Sequence, residues 1–244
     1  MNVLITGATG FLGRSLVKSL TKDGHSIKII TRNISKASSI LGTDVDFYQW
    51  EHTTLEPPIE AIDNTDAVVN LMGETVGGLW VPSKKQAIYQ SRIIGTKKLV
   101  EAINKSDSKP SVLVSASAVG YYGNRGNEKL TEHSGPGKSF LSEVCEDWED
   151  QAKSVTNSET RVITLRFAPI IGTGGDFLTQ QLPLAKLGLL GPLGSGKQWW
   201  PWVHINDAVS IIKYVINKSI SGPINVVSPN PIDQITFSKA LAKA

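Results

Sequence analysis

The chain has 244 residues, 40% of them hydrophobic and 19% charged, which suits one large α/β domain or a nucleotide domain with a small appendage. A net charge of +3 carried by scattered Lys and Arg argues against nucleic acid as a partner, and the absence of a run of ~18 apolar residues argues against a membrane. One cysteine, Cys145, and four dispersed histidines leave no disulfide and no expected metal site, so the expected setting is a reducing compartment, the cytoplasm or an organelle stroma.

Asn2 to Ile5 reads as a buried parallel strand that runs into glycines at 7, 10 and 13 and then into an amphipathic helix from about Phe11 to Lys22. Gly7 allows the tight turn, Gly10 lets backbone N–H groups approach a pyrophosphate, and Gly13 lets the helix pack close to the strand. The helix N-terminus adds unpaired N–H groups and partial positive charge, so the segment is a phosphate-binding turn. Ser26 to Thr31 is the second strand, after a turn at Asp23-Gly24-His25. Its end carries the residue expected to read the adenosine ribose. No acid occurs between Asp23 and Asp44, and Arg32 stands where it can pair bidentately with a 2′-phosphate, helped by Thr31 or Asn33. The expected cofactor is therefore NADP(H) rather than NAD.

Val45 to Tyr48 and Ala67 to Leu71 follow as strands, with Pro57-Pro58 breaking the segment between them. A long helix spans about Ser83 to Asn104, then a strand Ser111 to Ser115, a helix Phe140 to Ser154 and a strand Arg161 to Arg166. This alternation predicts an α/β fold, a Rossmann-type doubly wound parallel sheet. From Gly172 the texture becomes loop-rich, through Gly172 to Gly175, Gly188 to Gly196 and Trp199-Trp200-Pro201-Trp202, with only short helices between. The expected division is a nucleotide domain over 1–171 and a small C-terminal substrate-side cap over 172–244, interleaved with the last strand and helix of the first domain. The chain stops inside an amphipathic stretch, Phe237 to Ala244, as expected of a piece of a longer protein. Gly191 to Lys197 fits the first seven positions of a Walker loop, but Gln198 stands where Ser or Thr must hold Mg²⁺, so ATP is not expected. The Pro201 between the tryptophans suggests a packed corner for Trp199, Trp200 and Trp202.

Four segments resemble the extended short-chain dehydrogenase/reductase superfamily: Gly7 to Gly13, Asn70 to Gly73, Ser115 to Gly123, and Trp202 to Ala208. Finer matches at Asn70 to Glu74, Ser91-Arg92, Gly95-Thr96, Trp148-Glu149 and Gly194 to Gly196 are similar to its atypical epimerase branch, often labelled cell-division-inhibitor-like or SulA-like. The resemblance implies cofactor contacts from Gly7, Thr9, Gly10, Phe11, Leu12 and Gly13, from Thr31 and Arg32, from Leu71, Met72 and Gly73, and from Arg92 and Ser115. It also implies that His204 and Asp207 tie the cap to the nucleotide domain.

The chemistry of that superfamily uses a tyrosine with a lysine four residues later on one helix face, and a serine on the neighbouring strand. Ser117 fills the serine role. The expected window instead places Phe140 with Val144, or Leu141 with Cys145, at the Tyr/Lys spacing. Tyr214 with Lys218 is the one Tyr-x-x-x-Lys, on a late helix, and reads as coincidence. Tyr121 and Tyr122 are the candidate substitute acids or else pocket-wall aromatics, and Glu143 and Glu146 default to the solvated helix surface. Two functional readings stand: hydride transfer or epimerisation on a carbonyl, an alcohol or a nucleotide-sugar-like small molecule, and a non-catalytic NADP-binding regulator. The matching partners are that small-molecule substrate, a second copy in a homodimer, and a division-related protein.

Overall fold

Residues Val3, Leu4 and Ile5 are fully buried because the first strand has helices on both of its faces. The computed structural model describes residues 1–187 and 191–243. In chain order the nucleotide half comprises β1 (Asn2–Thr6), α1 (Phe11–Lys22), β2 (Ser26–Thr31), α2 (Ile34–Leu41), β3 (Asp46–Gln49), α3 (Ile59–Ile62), β4 (Ala67–Asn70), α4 (Pro82–Lys105) and β5 (Val112–Ala118). A single 3-10 turn, Val119–Tyr122, leads on to α5 (Phe140–Lys153), β6 (Arg161–Phe167), β7 (Ile170–Ile171) and α6 (Asp176–Lys186). Then come β8 (Trp199–Trp200), β9 (Val203–His204), α7 (Ile205–Ile216), β10 (Gly222–Val226), β11 (Ile232–Asp233) and α8 (Gln234–Lys243).

Seven strands form one sheet in the order β10-β6-β5-β4-β1-β2-β3, and every pairing in it is parallel. The order reverses beside β1, which opens a crevice at the carboxyl ends of the strands. Alternation along each strand splits the core into two layers. Val3, Ile5, Ile27, Ile29, Val112 and Val114 pack toward α1 and α7. Leu4, Ile30, Val68 and Leu113 pack toward α3, α4 and Ala152 of α5.

The structure departs from the sequence expectations in three places. Helices α2 and α3 occupy the stretch between Thr31 and Ala67 that carried no expected helix; α2 is capped by Asn33, whose side chain accepts from the Lys36 N–H at 2.8 Å. Strand β5 runs three residues beyond Ser115, so Ser117 lies inside the sheet. Among the described residues the loop-rich region holds three helices, α6, α7 and α8, and takes part in two small sheets, β8 with β11 and β7 with β9. Its strand β10 returns to the edge of the main sheet. Of the glycine-rich stretch Gly188 to Gly196, residues 188–190 lie outside the described residues. Among the described residues no helix is long and apolar enough to cross a membrane.

Candidate nucleotide site and substrate groove

The turn after β1 is built for a backbone that carries no side chains. Gly7 sits at φ +68°, and a Cβ there would meet the Leu71 carbonyl oxygen at 2.5 Å. A Cβ on Gly13 would meet the Gly7 carbonyl oxygen at the same 2.5 Å, so α1 approaches the turn as closely as glycine permits. Gly10 closes the turn by donating its N–H to the Gly7 carbonyl at 3.1 Å, then becomes the N-cap of α1 with no side-chain cap and no acid in the first helical turn. The helix therefore faces the crevice with unpaired N–H groups and no competing carboxylate.

A cavity of about 460 Å³ opens over this turn. Of the expected cofactor residues, Gly7, Thr9, Gly10, Thr31, Arg32, Leu71, Met72 and Gly73 line it. Arg32 is exposed at the end of β2, and among the described residues no carboxylate lies within ion-pair distance of it. The nearby Glu74 carboxylate is held by Lys84 at 2.8 Å. Trp50, Glu51, His52 and Thr53, just beyond β3, also line the wall, as do Ala87, Gln90 and Ser91 of α4; the sequence signal for the first four is their place after a strand end. Burial lowers the His52 pKa, against the opposing pull of Glu51.

Five expected contacts lie outside that lining. Phe11 fills the space above Gly172 and Gly175, and Leu12 packs against the core. Gly13 lies beneath the turn. Ser115 is fully buried and accepts from Asn70 Nδ2 at 3.2 Å, in a ladder where Asn70 also accepts from Thr6 at 2.7 Å and donates to Thr96 at 2.9 Å. Arg92 donates to the Glu74 carbonyl at 2.9 Å and lies across the Trp148 ring at 5.1 Å.

At the carboxyl ends of β5 and β6 the parallel register sets Ser117 beside Arg166. Ser117 donates its hydroxyl proton to Glu149 Oε1 at 2.8 Å. Arg166 donates to both oxygens of the same carboxylate, Nε at 2.7 Å and Nη2 at 2.9 Å, and its Nη1 donates to the Tyr122 hydroxyl at 2.9 Å. Tyr122 in turn donates to Asn225 Oδ1 at 2.6 Å. The Arg166 guanidinium also lies 3.6 Å from the centre of the Tyr121 ring. Burial works to raise the Glu149 pKa, but the hydrogen bonds from Arg166 and Ser117 outweigh it and hold the carboxyl below its ordinary value.

A second cavity of about 830 Å³ lies beside this network, between the segment from Val119 to Leu130 and the tryptophan strand. Tyr122 and Asn225 line it; Ser117 and Tyr121 line neither cavity. The three tryptophans do not form one packed corner. Trp200 packs on Phe177 and Phe237 at 5.9 and 6.0 Å, whereas Trp199 is half exposed and donates its indole N–H to Asn127 Oδ1 at 2.9 Å.

The model of the NAD dependent epimerase/dehydratase family matches residues 3–227. The chain belongs to that family. An epimerase family protein of Arabidopsis thaliana, described as a chloroplastic homologue of SDR39U1, is 40% identical over 243 residues, covering 95% of this chain and 67% of the relative. The human epimerase family protein SDR39U1, solved with NADPH, superposes with a TM-score of 0.86 at 29% identity, over 99% of this chain and 80% of that one. A nucleoside-diphosphate sugar epimerase from Corynebacterium glutamicum gives 0.83 at 34% identity, over 99% of this chain and 49% of that one.

Within this epimerase-family chain the Tyr/Lys positions hold no proton carrier. Val144 is buried, and burial pushes the Cys145 thiol up to about 11. Tyr214 is 59% exposed, with the Lys218 ammonium 5.7 Å from its ring, on the outer side of α7. Glu143 and Glu146 are exposed. The buried acid of α5 is Glu149, at 1% exposure, and sequence reasoning weighed the other two in its place. The available signal was its position four residues after Cys145, on the stripe that carries Trp148 and Ala152 into the core.

Proposed function

We propose that this chain binds NADP(H) over the Gly7–Gly13 turn and acts on a carbonyl or alcohol held in the second cavity, as an oxidoreductase or epimerase of the atypical branch. The observation that carries the reading is Arg32, exposed at the end of β2 beside the glycine cradle with no carboxylate partner among the described residues. The cradle fits a dinucleotide because a Cβ at Gly7 or Gly13 would close it, and the NADPH in the human relative supports the choice of nicotinamide cofactor. When bound, that cofactor supplies or accepts a hydride. Arg32 would hold its 2′-phosphate by a charge-assisted pair, and the α1 N-terminus its pyrophosphate.

Among Ser117, Tyr121 and Tyr122, the residue that lines the groove is Tyr122, and its hydroxyl is the proposed proton donor. A phenolate formed there would lie against the Arg166 guanidinium, 2.9 Å away, so Arg166 takes the electrostatic part that a lysine plays in a Tyr/Lys pair. Glu149 fixes Arg166 in place and accepts the hydrogen bond of the Ser117 hydroxyl, which leaves Ser117 only lone pairs to offer. Residues 172–244 would provide the cap over the substrate.

The test is a titration with NADPH and NADH followed by a carbonyl panel scored on NADPH oxidation. NADPH should bind more tightly than NADH, and Tyr122→Phe should abolish turnover while NADPH binding persists. NADH binding as tight as NADPH overturns the cofactor assignment; full turnover in Tyr122→Phe overturns the proton donor.

A further inference from the structure

Beside the second cavity, residues 123–137 form a loop whose ends meet. The Gly137 N–H donates to the Tyr121 carbonyl at 2.8 Å, and a Cβ on Gly137 would lie 2.9 Å from the Gly123 Cα, so the neck closes as tightly as glycine permits. The second half of the loop is anchored. Glu132 Oε1 accepts from the Asn225 N–H at 2.9 Å, and the Glu132 carbonyl accepts from Arg166 Nη1 at 3.2 Å. The first half is bonded to itself instead. Residues 124–129 are all exposed. Arg125 closes on the Glu128 carboxylate at 2.8 and 2.7 Å, the Glu128 N–H donates to the Arg125 carbonyl at 3.2 Å, and the Gly126 N–H donates to Asn124 Oδ1 at 3.1 Å. Among the described residues one hydrogen bond and no ion pair connect this unit to the rest of the molecule: the Trp199 indole N–H donates to Asn127 Oδ1 at 2.9 Å. That bond ties one wall of the cavity to another, for Asn127 lies on the segment from Val119 to Leu130 and Trp199 on the tryptophan strand.

We infer that residues 124–129 are a flap over the second cavity, hinged between the Gly123 neck and the Glu132 anchor and latched shut by the Trp199–Asn127 hydrogen bond. A self-bonded unit with no buried side chain keeps its own bonds when it swings, so the tie it gives up is that one bond. A single exposed hydrogen bond between neutral groups is weak, which suits a latch that must release. Because Glu132 stays with Arg166 and Asn225, the flap opens without disturbing the network around Tyr122. What the open flap admits rests on reading the second cavity as the substrate site; the motion itself does not.

The test is limited trypsin digestion of the whole chain, scored by mass as cleavage after Arg125 or Lys129, the two basic residues of the flap. When opening is fast, cleavage follows the population of the open form. Asn127→Ala and Trp199→Phe, which keeps the ring and removes the donor, should each speed these cuts about fivefold, the scale of one net hydrogen bond. The double variant should also be about fivefold faster than wild type, because both substitutions break the same bond. Both positions are exposed, and an unchanged melting temperature establishes that the variants are folded. A thiol placed on the cavity wall by Ser228→Cys then reads access, and Asn127→Ala should speed its labelling by a maleimide about fivefold. Cutting that neither substitution changes, or a double variant about twenty-five-fold faster, as independent sites would give, overturns the latch. Faster cutting with unchanged labelling of Ser228→Cys overturns the flap as the way into the cavity. Neither readout uses a nucleotide or turnover, so a chain inactive on every carbonyl, yet latched as described, removes the enzymatic reading and leaves the flap standing.

Discussion

The Arg166 guanidinium and the Glu149 carboxylate face each other through two hydrogen bonds of 2.7 and 2.9 Å, with Arg166 2% exposed and Glu149 1% exposed. A fork-to-fork pair at this depth recovers its desolvation cost only while both partners are present. Ser117 and Tyr122 complete it, so one ion pair orients both hydroxyls at the carboxyl ends of β5 and β6.

Removing one half of the pair should therefore be costly. Glu149→Ala is expected to lower unfolding free energy by about 3–5 kcal/mol, because Arg166 is left buried without its counter-charge. Urea unfolding checks this. A loss below about 1 kcal/mol, the scale of an exposed ion pair, would show that the pair contributes as a surface one does.

The same pair gives a pH dependence of definite sign. The folded Glu149 titrates below its ordinary 4.5, so its contribution is complete above that value and is lost as pH falls through the depressed folded value. Wild-type stability should fall more steeply below pH 4.5 than that of Glu149→Gln. Parallel urea midpoints for the two proteins across the acid range would contradict the assignment.

Arg32→Ala should raise the NADPH dissociation constant roughly tenfold to a hundredfold, the 1.5–3 kcal/mol of a hydrogen bond to a charged group, with little change for NADH. Fluorescence titration with both nucleotides reads this directly. Equal losses for the two would place Arg32 on the shared part of the cofactor.

Gly7→Ala and Gly24→Ala separate backbone strain from crowding. Both glycines have positive φ, +68° and +81°, but only Gly7 has a backbone carbonyl in the path of a Cβ. Gly24→Ala should cost about 1–2 kcal/mol and leave nucleotide binding intact, whereas Gly7→Ala should cost more and abolish binding. Thermal melts with and without NADPH distinguish them.

Cys145 should be inert in the native protein. It is 5% exposed, and burial raises its thiol pKa to about 11, so little thiolate forms near neutrality. A disulfide reagent at pH 8 should label nothing in buffer and one thiol per chain in guanidinium. Fast native labelling would show that α5 opens.

The sequence by itself determined the frame. Glycines at 7, 10 and 13 between an apolar strand and a helix left one local structure, and alternating strands and helices left a parallel sheet, because both signals are local and periodic. The place of Arg32 after β2 was legible for the same reason, because the end of that strand was plain. The helices α2 and α3 were not, since each is short and α3 draws its burial from a cluster with α4 residues distant in sequence. The choice among Glu143, Glu146 and Glu149 was legible only in part. All three lie on one helix; the stripe through Cys145, Trp148 and Ala152 favours Glu149, and packing against β5 and β6 supplies the counter-charge that lets it turn inward. Ser117, Glu149 and Arg166 are far apart in the chain, and the β5–β6 register that sets Ser117 beside Arg166 exists only once the crossover helix α5 has packed on the sheet. The tertiary structure thus decided which polar side chains meet at the carboxyl ends of β5 and β6, because a buried charge is placed where its counter-charge arrives, and that arrival is a property of the fold.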